Sequence, residues 1–230
     1  MVLSKKKVAK NEDLFKKPFF YGGLAYIITI FFTLSLNVLH RFIPGFTYIL
    51  MVVLIVAGFF SFYAFYVLGK RYDSKFLRVL SVILFIFLIV TELFLTLGPI
   101  VFKGSLVEID QIATNYNQTL TNLAANSSLT DAAKQEVLSN LVRDITPIAM
   151  PFILVLLFLF LGYTVLTILF GVVLIKLGSQ VPYSKAAGIV NIVGVCTLIF
   201  FVGLFILIAA WILEIMILFD QAKKFEENES

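Results

Sequence analysis

Cysteine and histidine are nearly absent: the 230 residues contain one of each. A lone cysteine, Cys196, excludes a disulfide bond within the chain, and one Cys with one His are too few ligands for a structural zinc site. The same shortage leaves little material for catalysis by a Ser/His or Cys/His pair. Metalloprotease, hydrolase and P-loop motifs are also missing from the sequence. We therefore expect a protein that is not an enzyme and that holds no metal and no other cofactor.

Charged residues are scarce as well, at 14% of the chain against about a quarter in an ordinary soluble domain, while 60% are hydrophobic. The apolar residues stand in long blocks, for which lipid is the natural solvent. The net charge of +4 does not indicate nucleic acid, because the lysines concentrate at the N-terminus and beside apolar blocks. We expect the lipid bilayer, with its anionic headgroups, to be the partner of these lysines, and no nucleic acid.

Five apolar blocks are long enough for membrane-spanning helices, which need about 20 residues to cross a hydrocarbon core about 30 Å thick. They cover residues 18–39, 45–69, 77–102, 151–175 and 187–219. Backbone groups find no water in hydrocarbon, so helices are the expected form. The sequence therefore predicts an all-α fold, a polytopic membrane helix bundle of about five transmembrane helices with an extracytoplasmic helical hairpin.

Polar segments divide the chain into five regions. We expect a basic arm at 1–17, transmembrane helices one to three within 18–102, the hairpin at 103–146, helices four and five within 147–219 and a polar tail at 220–230. Five spans place the termini on opposite sides, with 12 Lys and Arg on the N-terminal side and 6 on the other. Cytoplasmic loops are enriched in Lys and Arg, which predicts a cell-membrane protein with a cytoplasmic N-terminus and an extracytoplasmic C-terminus.

The long polar segment 103–146 carries two apolar stripes at helical spacing. They are Leu106, Ile109, Ile112, Tyr116, Leu120 and Leu123, and then Val137, Leu138, Leu141, Val142 and Ile145. Ser128, with Asp131 three residues later, resembles a capping box that opens the second helix. The alternative is a disordered loop that carries glycans. N-x-S/T triplets make Asn117, Asn126 and Asn228 possible glycosylation acceptors on the outer side.

Two carboxyl groups fall inside the predicted spans, where an ionisable group is costly and is therefore a functional hypothesis by default. Glu92, in the outer half of the third span, either binds a coupling ion or is a neutral carboxyl bonded to Thr96, Asn37 or a backbone carbonyl. Glu214 is expected near the outer end of the fifth span, where it reaches water. Pro99, Pro147 and Pro151 are interpreted as helix boundaries or kinks.

Each span also has a face of small and polar residues, through which helices associate in lipid. These faces comprise Tyr26, Thr29, Thr33 and Asn37; Ala57, Ser61 and Ala64; Ser81, Glu92 and Thr96; Thr164, Thr167, Gly171 and Gly178; and Cys196, Gly203 and Ala210 leading to Glu214. Asn191 is expected to hydrogen-bond another helix. The faces predict one compact bundle and equally fit a homo-oligomer or a complex with other membrane proteins.

Three stretches carry a resemblance to a known family: AYIITIFFTLS, RYDSKFLRVLSVILFIFLIV and AAGIVNIVGVCTLIFFVGLFILIAAWILEIMILFD. In their apolar rhythm, and in the polar turn after the second span, they resemble a family of archaeal multi-pass membrane proteins, especially from thermoacidophiles. The resemblance covers the spans and not the outer hairpin. It implies an archaeal membrane protein, and the family has no assigned activity from which a functional residue could be carried over.

These observations favour a non-enzymatic membrane subunit or scaffold that binds a partner or another copy of itself. The alternative is a small transporter or channel in which Glu92 lines a polar path. Transporters commonly contain internal repeats and discontinuous helices at the middle of the membrane, and the sequence reveals neither. A sensor that acts through the outer loop is a third reading, for which no cytoplasmic output domain is recognisable.

Overall fold

The computed structural model describes residues 18–32, 46–125 and 130–227, and the elements in these ranges are all helices. They are α1 (Pro18–Phe32), α2 (Phe46–Arg71), α3 (Lys75–Val101), α4 (Lys103–Ala125), α5 (Asp131–Leu177), α6 (Ser184–Cys196) and α7 (Val202–Glu227), with a short 3-10 helix at Leu198–Phe200. The all-α prediction is confirmed for this part of the chain.

Four helices are long and apolar enough to cross a membrane, over Tyr48–Arg71, Lys75–Gly98, Asp131–Leu177 and Val202–Lys224. The described part of α1 and the whole of α6 are apolar but shorter. The rest of the predicted first span, with Asn37, lies outside the described residues. Many large apolar side chains of these helices are exposed, among them Val52, Phe59 and Ile86. Such surfaces suit lipid, which is as apolar as leucine.

The predicted fifth span, 187–219, is not a single helix, and this prediction is wrong. Helix α6 ends at Cys196, and α7 begins at Val202 and packs back along α6. Phe201, between them, has a φ of 57°, a left-handed conformation that a continuing helix cannot contain. The break falls in a stretch with no proline and no charge, so composition gives no sign of it.

Glycines bring α6 and α7 into close contact beside this turn. Gly203 lies against the carbonyl oxygen of Gly194 so closely that a Cβ would not fit, and a Cβ on Gly194 would lie 2.9 Å from the side chain of Leu207. The turn also bonds its own amides, since Phe201 N donates to Leu198 O at 3.0 Å. A turn whose backbone donors are satisfied internally can lie in hydrocarbon.

Helix α5 has 47 residues and runs through Pro147 and Pro151, and α3 likewise continues past Pro99. The interpretation as helix boundaries is therefore wrong for Pro147 and Pro151, whereas Pro99 lies two residues before the end of α3; the alternative of kinks stays a prediction. A helical proline removes one backbone hydrogen bond, and in a helix this long that loss does not end the element.

The described residues belong to two compact units, one formed by 1–92 and 162–230 and the other by 93–161. The core of the first unit is apolar and draws on six helices, α1, α2, α3, α5, α6 and α7. Its fully buried members include Phe19, Phe65, Leu77, Leu174 and Leu218.

The second unit contains α4 and the start of α5. On α4 the predicted stripe residues Ile109, Ile112, Tyr116, Leu120 and Leu123 are half-buried, and no residue of α4 is fully buried. The Tyr116 hydroxyl donates to Asp144 Oδ2 at 2.7 Å, and this bond raises the pKa of Tyr116 above its usual value.

The cap of α5 differs from the predicted one. Thr130 provides it, since Ala133 N donates to Thr130 Oγ1 at 3.1 Å. Ser128, the predicted capping residue, lies outside the described residues. A Thr immediately before the first helical residue accepts a bond from an amide of the first turn that would otherwise have no partner.

Candidate functional site

Glu214 is one of the most deeply buried side chains of the chain, with 1% of its surface exposed. The expectation that it reaches water at an outer helix end is wrong. Because the chain turns back before Val202, Glu214 lies in the middle of α7 and faces α6 instead of the end of a long span. Burial of a carboxyl group is expensive unless hydrogen bonds replace its water, so its partners decide what the group can do.

The two oxygens of Glu214 have unequal surroundings, and the Tyr26 hydroxyl also interacts with the carboxyl group. Asn191 Nδ2 donates to Glu214 Oε1 at 2.5 Å, and Asn191 itself is 2% exposed. Glu214 Oε2 has no hydrogen-bond partner among the described residues. The interhelical bond predicted for Asn191 is therefore present. Its partner could not be foreseen, since 23 residues of continuous helix would separate the two side chains by about 34 Å.

A contact between two glycines positions Asn191. A Cβ on Gly171 of α5 would lie 2.7 Å from the carbonyl oxygen of Gly188 on α6, so the two backbones touch. Asn191 follows Gly188 by about one helical turn, and Thr167 precedes Gly171 by about one turn. The close approach of α5 and α6 thus brings both polar side chains to the same place.

Glu214 lines a cavity of about 160 Å³ that lies within the first unit. Helices α1, α2, α3, α5, α6 and α7 all contribute to its wall. Its polar lining residues are Tyr26, Thr29, Ser61, Tyr163, Thr167, Asn191, Trp211 and Glu214, and the rest of its wall is apolar, including Phe62 and Phe170. Several of these residues belong to the faces that the sequence assigned to helix packing. The convergence of those faces was the available signal for a cavity.

Two hydroxyl groups of the cavity wall have their protons engaged elsewhere. Thr29 Oγ1 donates to the carbonyl oxygen of Ala25, and Ser61 Oγ donates to that of Ala57, each at 3.0 Å. What these hydroxyls can offer to the cavity is therefore the lone pairs of their oxygens, which accept hydrogen bonds. Together with Glu214 Oε2 they are acceptor oxygens in a wall that also contains the donor groups of Tyr26, Tyr163 and Trp211.

Glu92 does not belong to the cavity. It is half-buried on α3, and no hydrogen bond joins it to another described residue. Thr96 follows it by one turn on the same helix, while Asn37 lies outside the described residues. The polar path predicted around Glu92 is not assembled in the described part of the chain.

The remaining predicted site residues are dispersed. Asn117 is exposed on α4, whereas Asn126 and Asn228 lie outside the described residues. Cys196 is exposed at the end of α6. Within the described ranges no three His, Cys, Asp or Glu side chains come together as a metal site would require.

No family model, no curated protein and no solved structure matches this chain. The resemblance to archaeal membrane proteins therefore stays a prediction, and function has to be argued from the cavity and its wall.

Proposed function

We propose that the protein is a non-enzymatic multi-pass protein of the cell membrane that binds a small solute inside its helix bundle and carries it across. The observation on which this proposal depends is the carboxyl of Glu214, buried beside a cavity with one oxygen unbonded. Leaving a buried acceptor unsatisfied costs about 1–3 kcal/mol. A buried glutamate that served only to join helices would have both oxygens bonded. A binding site, in contrast, leaves one oxygen available to the ligand.

The broken segment from α6 to α7 supports transport in particular. Transporters commonly place their binding sites beside discontinuous helices near the middle of the membrane. Here the 3-10 helix and the turn at Phe201 interrupt the segment, and Asn191 and Glu214 stand on its two arms. The sequence argued against a transporter because neither internal repeats nor discontinuous helices were evident, and the interruption between α6 and α7 answers the second of these objections.

For the sidedness we propose that both termini are cytoplasmic, in place of the predicted outer C-terminus. Gln221 on α7 is fully buried and accepts bonds from Arg71 Nη1 at 3.1 Å and from the Tyr72 hydroxyl at 3.0 Å. The rings of Phe20 and Phe219 lie 6.0 Å apart. The end of α7, the start of α1 and the α2–α3 turn are thus neighbours.

This arrangement sharpens the charge asymmetry of the chain. With Lys223 and Lys224 moved to the N-terminal side, 14 of the 18 Lys and Arg lie there and 4 on the other. Basic residues favour the cytoplasmic side. Residues 103–146, with Asn117 and Asn126 as possible glycosylation acceptors, stay on the outer side in this proposal, and partner binding through them stays a prediction.

A flux measurement tests the proposed function. Purified protein in liposomes would be offered radiolabelled sodium, tetramethylammonium, alanine and glucose. We expect at least one solute to enter faster than into empty vesicles, and Glu214→Gln to remove most of that uptake. The matched control is Glu92→Gln, a carboxyl of the same type outside the cavity, which should leave uptake unchanged. Equal uptake by empty vesicles, wild type and Glu214→Gln for every solute would refute carriage through this cavity.

A further inference from the structure

The cavity wall has one carboxyl group, which is negative when ionised, and no basic side chain to balance it. Among the described residues of its wall Glu214 is the sole carboxyl, and Lys, Arg and His are absent. An isolated buried charge is costly until an opposite charge pairs with it. The guest that balances this wall therefore carries a single positive charge.

The acceptor oxygens of the cavity wall also favour a positively charged guest. Glu214 Oε2 and the oxygens of Thr29 and Ser61 can accept bonds, while the hydroxyl protons of Thr29 and Ser61 are engaged with their own helices. An anion would place its own acceptors against these oxygens. A guest with N–H groups or polarised C–H groups fits them.

Aromatic rings form much of the remaining wall. They belong to Tyr26, Phe62, Tyr163, Phe170 and Trp211. Aromatic faces attract alkylammonium and quaternary ammonium ions, and enclosures of this kind are used to recognise them. A small metal ion prefers several oxygen ligands instead, and a divalent one prefers more than one carboxylate. The rings thus favour an organic cation over an inorganic one.

The cavity volume sets the size of the guest. At about 160 Å³ it is comparable to a cavity of about 150 Å³ that holds benzene. The guest should then have roughly five to eight non-hydrogen atoms.

From charge, acceptors, rings and volume we infer that the cavity binds a small organic monocation of the alkylammonium or quaternary ammonium class. This inference rests on the proposed function and names the class of solute that the Glu214 site takes. Glu214 neutralises the charge, and the aromatic side chains enclose the apolar part of the ion.

Trp211 supplies a direct readout, because it is the single tryptophan of the chain and lines the cavity. The protein in lipid nanodiscs would be titrated with choline and with 3,3-dimethylbutan-1-ol, a neutral molecule of nearly the same shape, while Trp211 fluorescence is recorded. We expect saturable binding of choline and at least about tenfold weaker binding of the alcohol. Tetrabutylammonium, which exceeds the cavity volume, should not compete.

Variants locate the binding. Glu214→Gln keeps the shape and the bond to Asn191 but removes the charge, and should weaken choline binding by about thirtyfold or more. Glu92→Gln should leave it unchanged. If Glu214→Gln does not fold, the comparison of choline with its neutral analogue in the wild type still decides the question.

The outcomes separate this inference from the proposed function. Equal binding of choline and the alcohol, or sodium uptake without choline binding, would overturn the organic-cation class while leaving carriage by the cavity intact. Absence of choline binding together with absence of flux for every solute would remove both. Choline binding that Glu214→Gln leaves unchanged would place the cation elsewhere and overturn the inference.

Discussion

A carboxyl group inside a helix bundle needs partners for both of its oxygens, and Glu214 Oε1 has an amide donor. Asn191 supplies it from the neighbouring helix, so the two side chains depend on each other although 23 residues separate them. Each residue could be singled out from the sequence as a polar group in an apolar span. That they meet could not be foreseen, because the meeting requires a turn that the sequence does not announce.

Removing the donor tests this pair. Asn191→Ala would remove the amide donor of Glu214 Oε1, and we expect the free energy of unfolding to fall by about 1–3 kcal/mol. Unfolding by SDS in mixed micelles measures it. The control is Asn122→Ala on the exposed face of α4, which should change stability little. Equal stability of the two variants would show that the Asn191–Glu214 bond contributes nothing.

The helices themselves were predicted well where charge marks their ends. The predicted spans 45–69 and 77–102 correspond to α2 and α3, since the polar segment around Asp73 separates two apolar blocks. The segment 187–219 was predicted badly, because a single long helix and two antiparallel helices have the same apolar composition. Contacts of Gly194 and Gly203 distinguish them, and such contacts are visible only in three dimensions.

Gly203 offers a test at this scale. A Cβ there would collide with backbone atoms of Gly194 and Leu198, which no side-chain motion relieves. Gly203→Ala should therefore lower the free energy of unfolding by about 1–3 kcal/mol, measured as above. Gly104→Ala is the matched control, because nothing lies within 4 Å of its added Cβ. A destabilisation no larger than that of Gly104→Ala would argue against close packing of α6 and α7.

For the whole molecule, hydropathy predicted the class of protein, and the four long apolar helices agree with it. The positions of the termini could not be predicted in the same way, since they depend on whether the number of crossings is odd or even. In the proposed arrangement, the turn between α6 and α7 reverses the direction in which the chain ends.

Reporters at the two ends test the proposed sidedness. We expect a fluorescent protein fused after Ser230 to fold and fluoresce, and to resist protease added outside intact cells, as an N-terminal fusion should. An epitope inserted at residues 126–129 is the control and should be reached from outside. Digestion of the C-terminal fusion in intact cells would return the C-terminus to the outer side.

The distance between α6 and α7 in the membrane is the most direct measurement of the arrangement on which the site depends. Spin labels would be placed on the exposed side chains Ile189 and Met216 after Cys196→Ser, and the distance read by pulsed electron spin resonance in lipid. Packed antiparallel helices have axes about 8–10 Å apart, so the labels should lie within about 25 Å of each other. A distance near 40 Å, about that of 27 residues of continuous helix, would contradict the antiparallel packing of α6 and α7 and with it the site at Glu214.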